Sequence, residues 1–188
     1  MIGKMLKGTV TAVAAVVACT SILAADLVDN PRYQEWSKYK PGTLVTMDVT
    51  TVAGGQNMKS AMTTTLKEVT PEKVVIEMKT SMTVPGMAPM DNVMSMTEPA
   101  KIEKAKVKPT NPEQMPNCKV IRKGKEDVKI GDKTYKCDWY EVEMDQQGMK
   151  ITSKWWTCND LPDKMVKNDT KMDMGNTSMI LTEFKAVK

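Results

Sequence analysis

The side chains here that could do chemistry are mostly sulfur-bearing. The 188 residues include 18 methionines and 4 cysteines but no histidine. Lack of histidine removes His-dependent triads, HExxH zinc proteases and His-ligated copper sites. No GxGxxG or Walker-type loop occurs either. The carboxylates Asp48, Glu68, Glu98, Asp138 and Glu141 are scattered among lysines, and no close apolar pair of the kind a glycosidase needs can be read.

Two chemistries suit the methionines. Sixteen of them follow residue 25, against five leucines and one phenylalanine, so Met takes the core positions that Leu and Phe usually fill. Its unbranched, polarizable side chain repacks around irregular apolar guests. A concave sheet face lined by Met47, Met58, Met62, Ile76, Met78, Met82, Met94 and Met96 would suit an acyl chain of a lipid or lipoprotein. The alternative is Cu(I), which thioethers can hold. Met87, Met90, Met94 and Met96 cluster in sequence, and Met172 and Met174 form a Met-x-Met. A third reading is a structural or surface-interaction module with no ligand, in which Met only fills the core.

The cysteines point to a cross-link. If 146–149 is a four-residue loop, Asp145 faces Lys150, Glu141 faces Lys154, Trp139 stacks on Trp156 and Cys137 faces Cys158. Opposite charges, indoles and apolar groups then match at every step, and a two-residue slip spoils all of them. A Cys137–Cys158 disulfide follows for an exported chain. Cys118 is left odd: free, or a competing partner for Cys137, with Lys119 and Arg122 favouring its thiolate.

These groups must be carried by strands. Val74, Ile76, Met78, Thr80, Met82 and Val84 alternate with mostly polar neighbours, as do Val45, Met47 and Val49, and Met58, Met62 and Leu66. Such alternation in consecutive segments means an antiparallel sheet with one dry face. Gly54-Gly55, Thr70-Pro71-Glu72, Ile130-Gly131-Asp132-Lys133 and Gly175-Asn176 read as turns, and Pro-rich 98–118 as an edge strand or crossover. Further strands fall near 119–130, 133–145, 149–158, 164–173 and 178–187. Ahead of them, Asn30 can cap a short helix that starts at Pro31 and stops at Pro41-Gly42, with Tyr33 and Trp36 on one face.

Residues 1–25 have the layout of a secretory signal: Lys4 and Lys7, an apolar core at Val10–Ala18, then Ala24-Ala25 before Asp26. In a competing reading, Val16-Val17-Ala18-Cys19 resembles a lipobox, which would put a lipid anchor on Cys19. Cleavage after Ala25 leaves 25 Lys+Arg (27 minus Lys4 and Lys7) against 23 Asp+Glu, a net charge of +2. So even a balance argues against nucleic acid as a partner. No later segment is long and apolar enough to cross a bilayer as a helix. The expected organisation is a signal at 1–25 and a single antiparallel β domain at 26–188.

Several stretches look like a known group. Trp36…Lys40-Pro41-Gly42-Thr43-Leu44-Val45, Thr65-Leu66-Lys67-Glu68-Val69-Thr70, Gly124-Lys125-Glu126…Ile130-Gly131…Cys137 and Trp156-Thr157-Cys158…Leu161-Pro162…Val166-Lys167 resemble secreted bacterial proteins of unassigned function. Those are similar to the periplasmic lipoprotein-carrier (Lol-type) half-barrel. The resemblance spans about 30–187 and implies a curved antiparallel sheet with an apolar concave face. It carries no catalytic signature. The reading is therefore an exported, non-catalytic envelope protein, periplasmic, extracellular or anchored at the outer membrane, with no cofactor.

Overall fold

A computed structural model describes residues 26–84, 86, 88–146 and 148–187. The signal segment and Cys19 lie outside the described residues. After β1 (Leu27–Asp29) and α1 (Pro31–Trp36), the chain forms β2 (Leu44–Ala53), β3 (Gln56–Val69), β4 (Lys73–Thr83) and β5 (Met90–Pro99). Then come β6 (Lys101–Glu103), a crossover with two 3-10 turns, and β7 (Cys118–Ile130), β8 (Lys133–Gln146), β9 (Met149–Thr157), β10 (Met165–Met172) and β11 (Gly175–Lys185).

Nine strands make one open antiparallel sheet in the order β5-β4-β3-β2-β11-β10-β9-β8-β7, and β1 pairs with β6 apart from it. Two meanders, β2–β5 and β7–β11, thus join along β2 and β11. The expected fold class, a curved antiparallel sheet with a short N-terminal helix, is what forms. The rhythm breaks at 98–118 because that segment carries the chain from one sheet edge to the other. Within it Pro112 is buried, and Glu113 ties it to Lys123 of β7 at 2.6 Å.

Ladder register settles which residues share a face, because directly opposed residues point the same way. One row crosses all nine strands: Met90, Met82, Ser60, Val49, Met179, Asn168, Trp155, Tyr140 and Lys123. Bulges at Leu66/Glu68, Val120/Arg122, Met165/Lys167 and Leu181/Glu183 interrupt the ladders and bend the strands.

The helix shows how far the sheet rolls. Arg32 of α1 reaches Glu98 on edge strand β5 at 3.1 Å and Asp163 in the β9–β10 loop at 3.4 Å. Those strands are five positions apart, roughly 24 Å across a flat sheet at about 4.8 Å per strand. One guanidinium spans both only because the sheet curls around α1. The face beneath the helix, which carries Met96 at 4.0 Å from Arg32 Nη1, is the concave one.

A six-residue helix is unstable alone and must be held by contacts. Asn30 Oδ1 accepts from the Arg32 N–H at 3.0 Å, as the capping motif predicts, and Pro31 sits at the first turn. Trp36 is fully buried in one cluster with Val45, Leu66, Val74 and Ile76, and its indole N–H donates to Asp163 at 3.0 Å. Tyr33 donates to the Thr70 carbonyl at 2.9 Å. The core sits at this end of the sheet.

Two turns differ from the sequence reading. Gln146 pairs with Met149, so the β8–β9 ladder runs one pair further than the four-residue loop expected, with Gly148 at φ 85°, while the anticipated pairs keep their register. Gly175 already pairs with Ala53 in β11, which moves the β10–β11 turn back to Asp173-Met174.

Candidate functional site

All eight side chains expected to line the apolar face lie on the concave face. Met47 opposes Met62, Met78 opposes Met94, Ile76 opposes Met96 and Met82 opposes Met90; Met58 lies opposite Thr51. Their surroundings are unequal. Met47 and Ile76 are buried at the end that α1 plugs. Met58, Met62, Met78 and Met96 are half-buried, and Met82 and Met94 are exposed. The face is thus covered by Trp36 at one end and increasingly exposed toward the other.

The wall is less uniformly apolar than methionine spacing suggests. Thr64, Thr80, Ser60 and Thr51 alternate with the sulfurs, and Thr51 shares a 3.2 Å hydrogen bond with Thr177. Farther along the same face is a polar knot. Ser153 Oγ, buried, accepts from Trp155 Nε1 at 2.6 Å and from Asn168 Nδ2 at 3.3 Å, and shares a 2.8 Å bond with Thr170. Thr170 in turn donates to Asn168 Oδ1 at 2.7 Å. These partners satisfy the buried hydroxyl without activating it, since no acid or base touches Ser153. The knot escaped sequence reading because Ser153, Asn168 and Thr170 come together only through strand pairing. The one sequence signal there, the Asn168-Asp169-Thr170 sequon, concerns a different chemistry.

The other face of the second meander carries a tryptophan–lysine group, in which Trp156 belongs to the same buried cluster as Trp36 and Trp139 packs against that cluster. Trp139 opposes Trp156 as the register argument requires, but the indoles do not stack on each other. Lys154 Nζ lies 4.3 Å from the Trp139 ring and 4.4 Å from the Trp156 ring, and Lys167 Nζ lies 4.6 Å from Trp156. A cation over an indole face gains from the ring quadrupole. Glu126 completes the set, accepting from Trp156 Nε1 at 2.9 Å with Lys154 at 3.6 Å. That indole hydrogen bond, with the two lysines, keeps the Glu126 carboxyl below its ordinary range. Glu141 faces Lys154 in the ladder, yet its carboxylate goes to Arg122 at 2.6 Å. Gly124 makes room here: a Cβ on it would sit 2.8 Å from Trp139 Nε1.

Cys137 and Cys158 are both buried and are separate thiols. Asp138 opposes Thr157 in the last pair of that ladder, and Cys137 and Cys158 are the next residues along the two segments. Burial, with the neighbouring Cys158, pushes the Cys137 thiol up to about 11, and burial raises Cys158 as well. Burial also raises Cys118, the reverse of the thiolate expected from Lys119 and Arg122. Cys118 opposes Met144 beside a shallow cavity of about 350 Å³ with Lys119, Glu143 and Lys150.

No family model matches the chain, and no curated protein matches it. Several solved structures match over most of the chain's length. The chain is similar to a Bacteroides fragilis protein described as exported, with a YmcC-like fold, at 10% identity over 78% of this chain and 97% of that one, TM-score 0.43. It is similar to a Parabacteroides distasonis protein described as a lipoprotein, at 10% identity over 78% and 96%, TM-score 0.44. A Vibrio parahaemolyticus domain described as outer membrane lipoprotein-sorting matches at 6% identity over 84% and 92%, TM-score 0.27. At such identities no site residue is carried over from them.

Proposed function

We propose that this chain is an exported, non-catalytic envelope protein that binds an acyl chain of a lipid or lipoprotein along its concave face. The observation that carries the reading is the shared face of Met47, Met58, Met62, Ile76, Met78, Met82, Met94 and Met96, covered by Trp36 at one end and increasingly exposed toward the other. A yielding apolar face of this kind suits a flexible hydrocarbon. In this reading residues 1–25 are a signal peptide and 26–188 one domain. Native mass spectrometry of protein purified from its own envelope tests it. A co-purifying lipid, with uptake of a fluorescent fatty acid, supports it; neither result occurring overturns it.

We also infer that Cys137 and Cys158 join after export, supported by their matched positions at the end of the ladder and their shared burial. The closed loop of ~20 residues would stabilise by about 3 kcal/mol on the chain-entropy model. Peptide mapping without reduction should recover that pair linked and Cys118 free; a Cys118–Cys137 link would overturn it. A second ligand, Cu(I), is favoured by directly opposed methionines on the accessible part of the face, Met78 with Met94 and Met82 with Met90. Binding of Cu(I) that survives replacement of all four by leucine would remove it.

A further inference from the structure

We propose that edge strand β5 pairs antiparallel with β5 of a second copy of this chain. The sheet has two edges, β5 and β7, and they are built in opposite ways. An edge strand offers a row of unpaired N–H and C=O groups to any other strand, and charge and bulges are the usual protections. β7 has both. Lys119, Arg122, Lys123, Lys125 and Lys129 stud it, and the Val120/Arg122 bulge breaks its ladder. Glu113 of the crossover is bonded to Lys123 beside it.

β5 is left open. Its ten residues pair with β4 without a bulge, and residues 92–97 hold no charge. Its two acids are satisfied within the chain: Asp91 by Lys79 at 2.8 Å and Ser81 at 2.7 Å, Glu98 by Arg32 at 3.1 Å. Among the described residues, the first bond from outside the sheet to its backbone comes at Pro99, whose carbonyl accepts from Asn30 Nδ2 at 2.9 Å. Met94 is 51% exposed on the concave face and Val93 is 58% exposed on the other. A ligand on the concave wall would cover Met94 but not Val93. A strand added along the edge covers both.

A second β5 is the strand that fits. Opposed residues of an antiparallel pair share a face. The register that sets Val93 against its own copy sets Met90 against Met96 twice and Asp91 against Ser95, so no like charges meet. Pairing of β5 with β7 would build an open chain of molecules, and the lysines and bulge of β7 oppose it. β5 with β5 closes as a two-fold dimer. The two concave faces then join, and the partner's β5 continues the methionine wall past Met94 and Met96. The inference does not depend on acyl binding, because backbone pairing and Val93 carry it.

The test is sedimentation of the full chain carrying Cys19→Ser and Cys118→Ser, so that neither a lipid anchor nor a stray cross-link contributes. The interface is small, so a dimer dissociating on the order of 10 µM is expected. In that background Val93→Lys should weaken it about tenfold by opposing two ammonium groups, and Val93→Glu should do the same with two carboxylates. An equimolar mixture of the two variants should restore the dimer, which misfolded protein could not do. Under mild oxidation Val93→Cys should cross-link copy to copy, while Lys125→Cys on β7 should not. No dimer at about ten times the expected concentration overturns the pairing. So does a dimer indifferent to Val93→Lys, or cross-linking through Lys125→Cys in place of Val93→Cys. Absence of fatty-acid uptake with the dimer intact would instead strike the acyl-binding reading alone.

Discussion

The two ends of the concave face are built from the same strands with the same alternation, yet only one is a core. At the α1 end Leu66, Val74, Ile76 and Trp36 have no solvent exposure, whereas at the other end Met90 and Met94 are about half exposed. The difference comes from what lies on top. A six-residue helix with one tryptophan turns its end into packed interior, and beyond its reach the apolar wall stays open. Alternation therefore tells which way a side chain points, while burial depends on whether another element covers it.

That contrast can be broken in graded steps. Trp36→Ala should have the largest effect, about 3–5 kcal/mol from lost burial and the cavity left behind. Chemical denaturation would show it; a loss under 1 kcal/mol would mean the helix is an ornament and not a plug. Gly124→Ala should follow at about 1–3 kcal/mol, since the new methyl meets the Trp139 indole and forces the Lys154 cluster to shift. Increased mobility of Lys154 by NMR is the accompanying sign, and an unperturbed cluster would contradict the packing described.

Alkaline pH should act next, through the covered end. The buried Cys137 thiol is raised from an ordinary 9.0 to about 11, so the neutral form is favoured in the folded chain. A raised folded value contributes stability that is complete below the unfolded value and is lost as pH rises through the folded one. Reduced protein should therefore weaken between pH 9 and about 11. Cys137→Ser should flatten that part of the profile, and an unchanged profile would show that other groups set it.

Smallest in stability should be Met82→Ser/Met94→Ser at the open end, within about 0.5 kcal/mol because both sites are exposed. Its effect should appear instead as weaker fatty-acid uptake. A large stability loss with unchanged uptake would invert the comparison between the two ends.

Much of this architecture was legible in the sequence, for identifiable reasons. Period-two spacing in 73–84 and the turn residues at 54–55 and 130–133 fixed strands and faces, because side chains alternate strictly along a strand. Matching pairs such as Asp145 with Lys150 and Tyr140 with Trp155 set the β8–β9 register. Three-body arrangements were not legible. Lys154 settles over two rings and on Glu126 although its directly opposed neighbour is Glu141. Ser153, Asn168 and Thr170 meet only because β9 and β10 pair, and the bridge from Arg32 to Glu98 and Asp163 depends on curvature. The β1–β6 pair was invisible for a similar reason: two three-residue segments carry no pattern until something brings them together.

Photo-crosslinking with a diazirine-bearing fatty acid, followed by peptide mapping, tests acyl binding on the concave wall most directly. Adducts on Met62, Met78, Met82 or Met94, displaced by unlabelled fatty acid, are the predicted result. Adducts confined to the opposite face around Trp139 and Lys154, or no competable adduct at all, would contradict it.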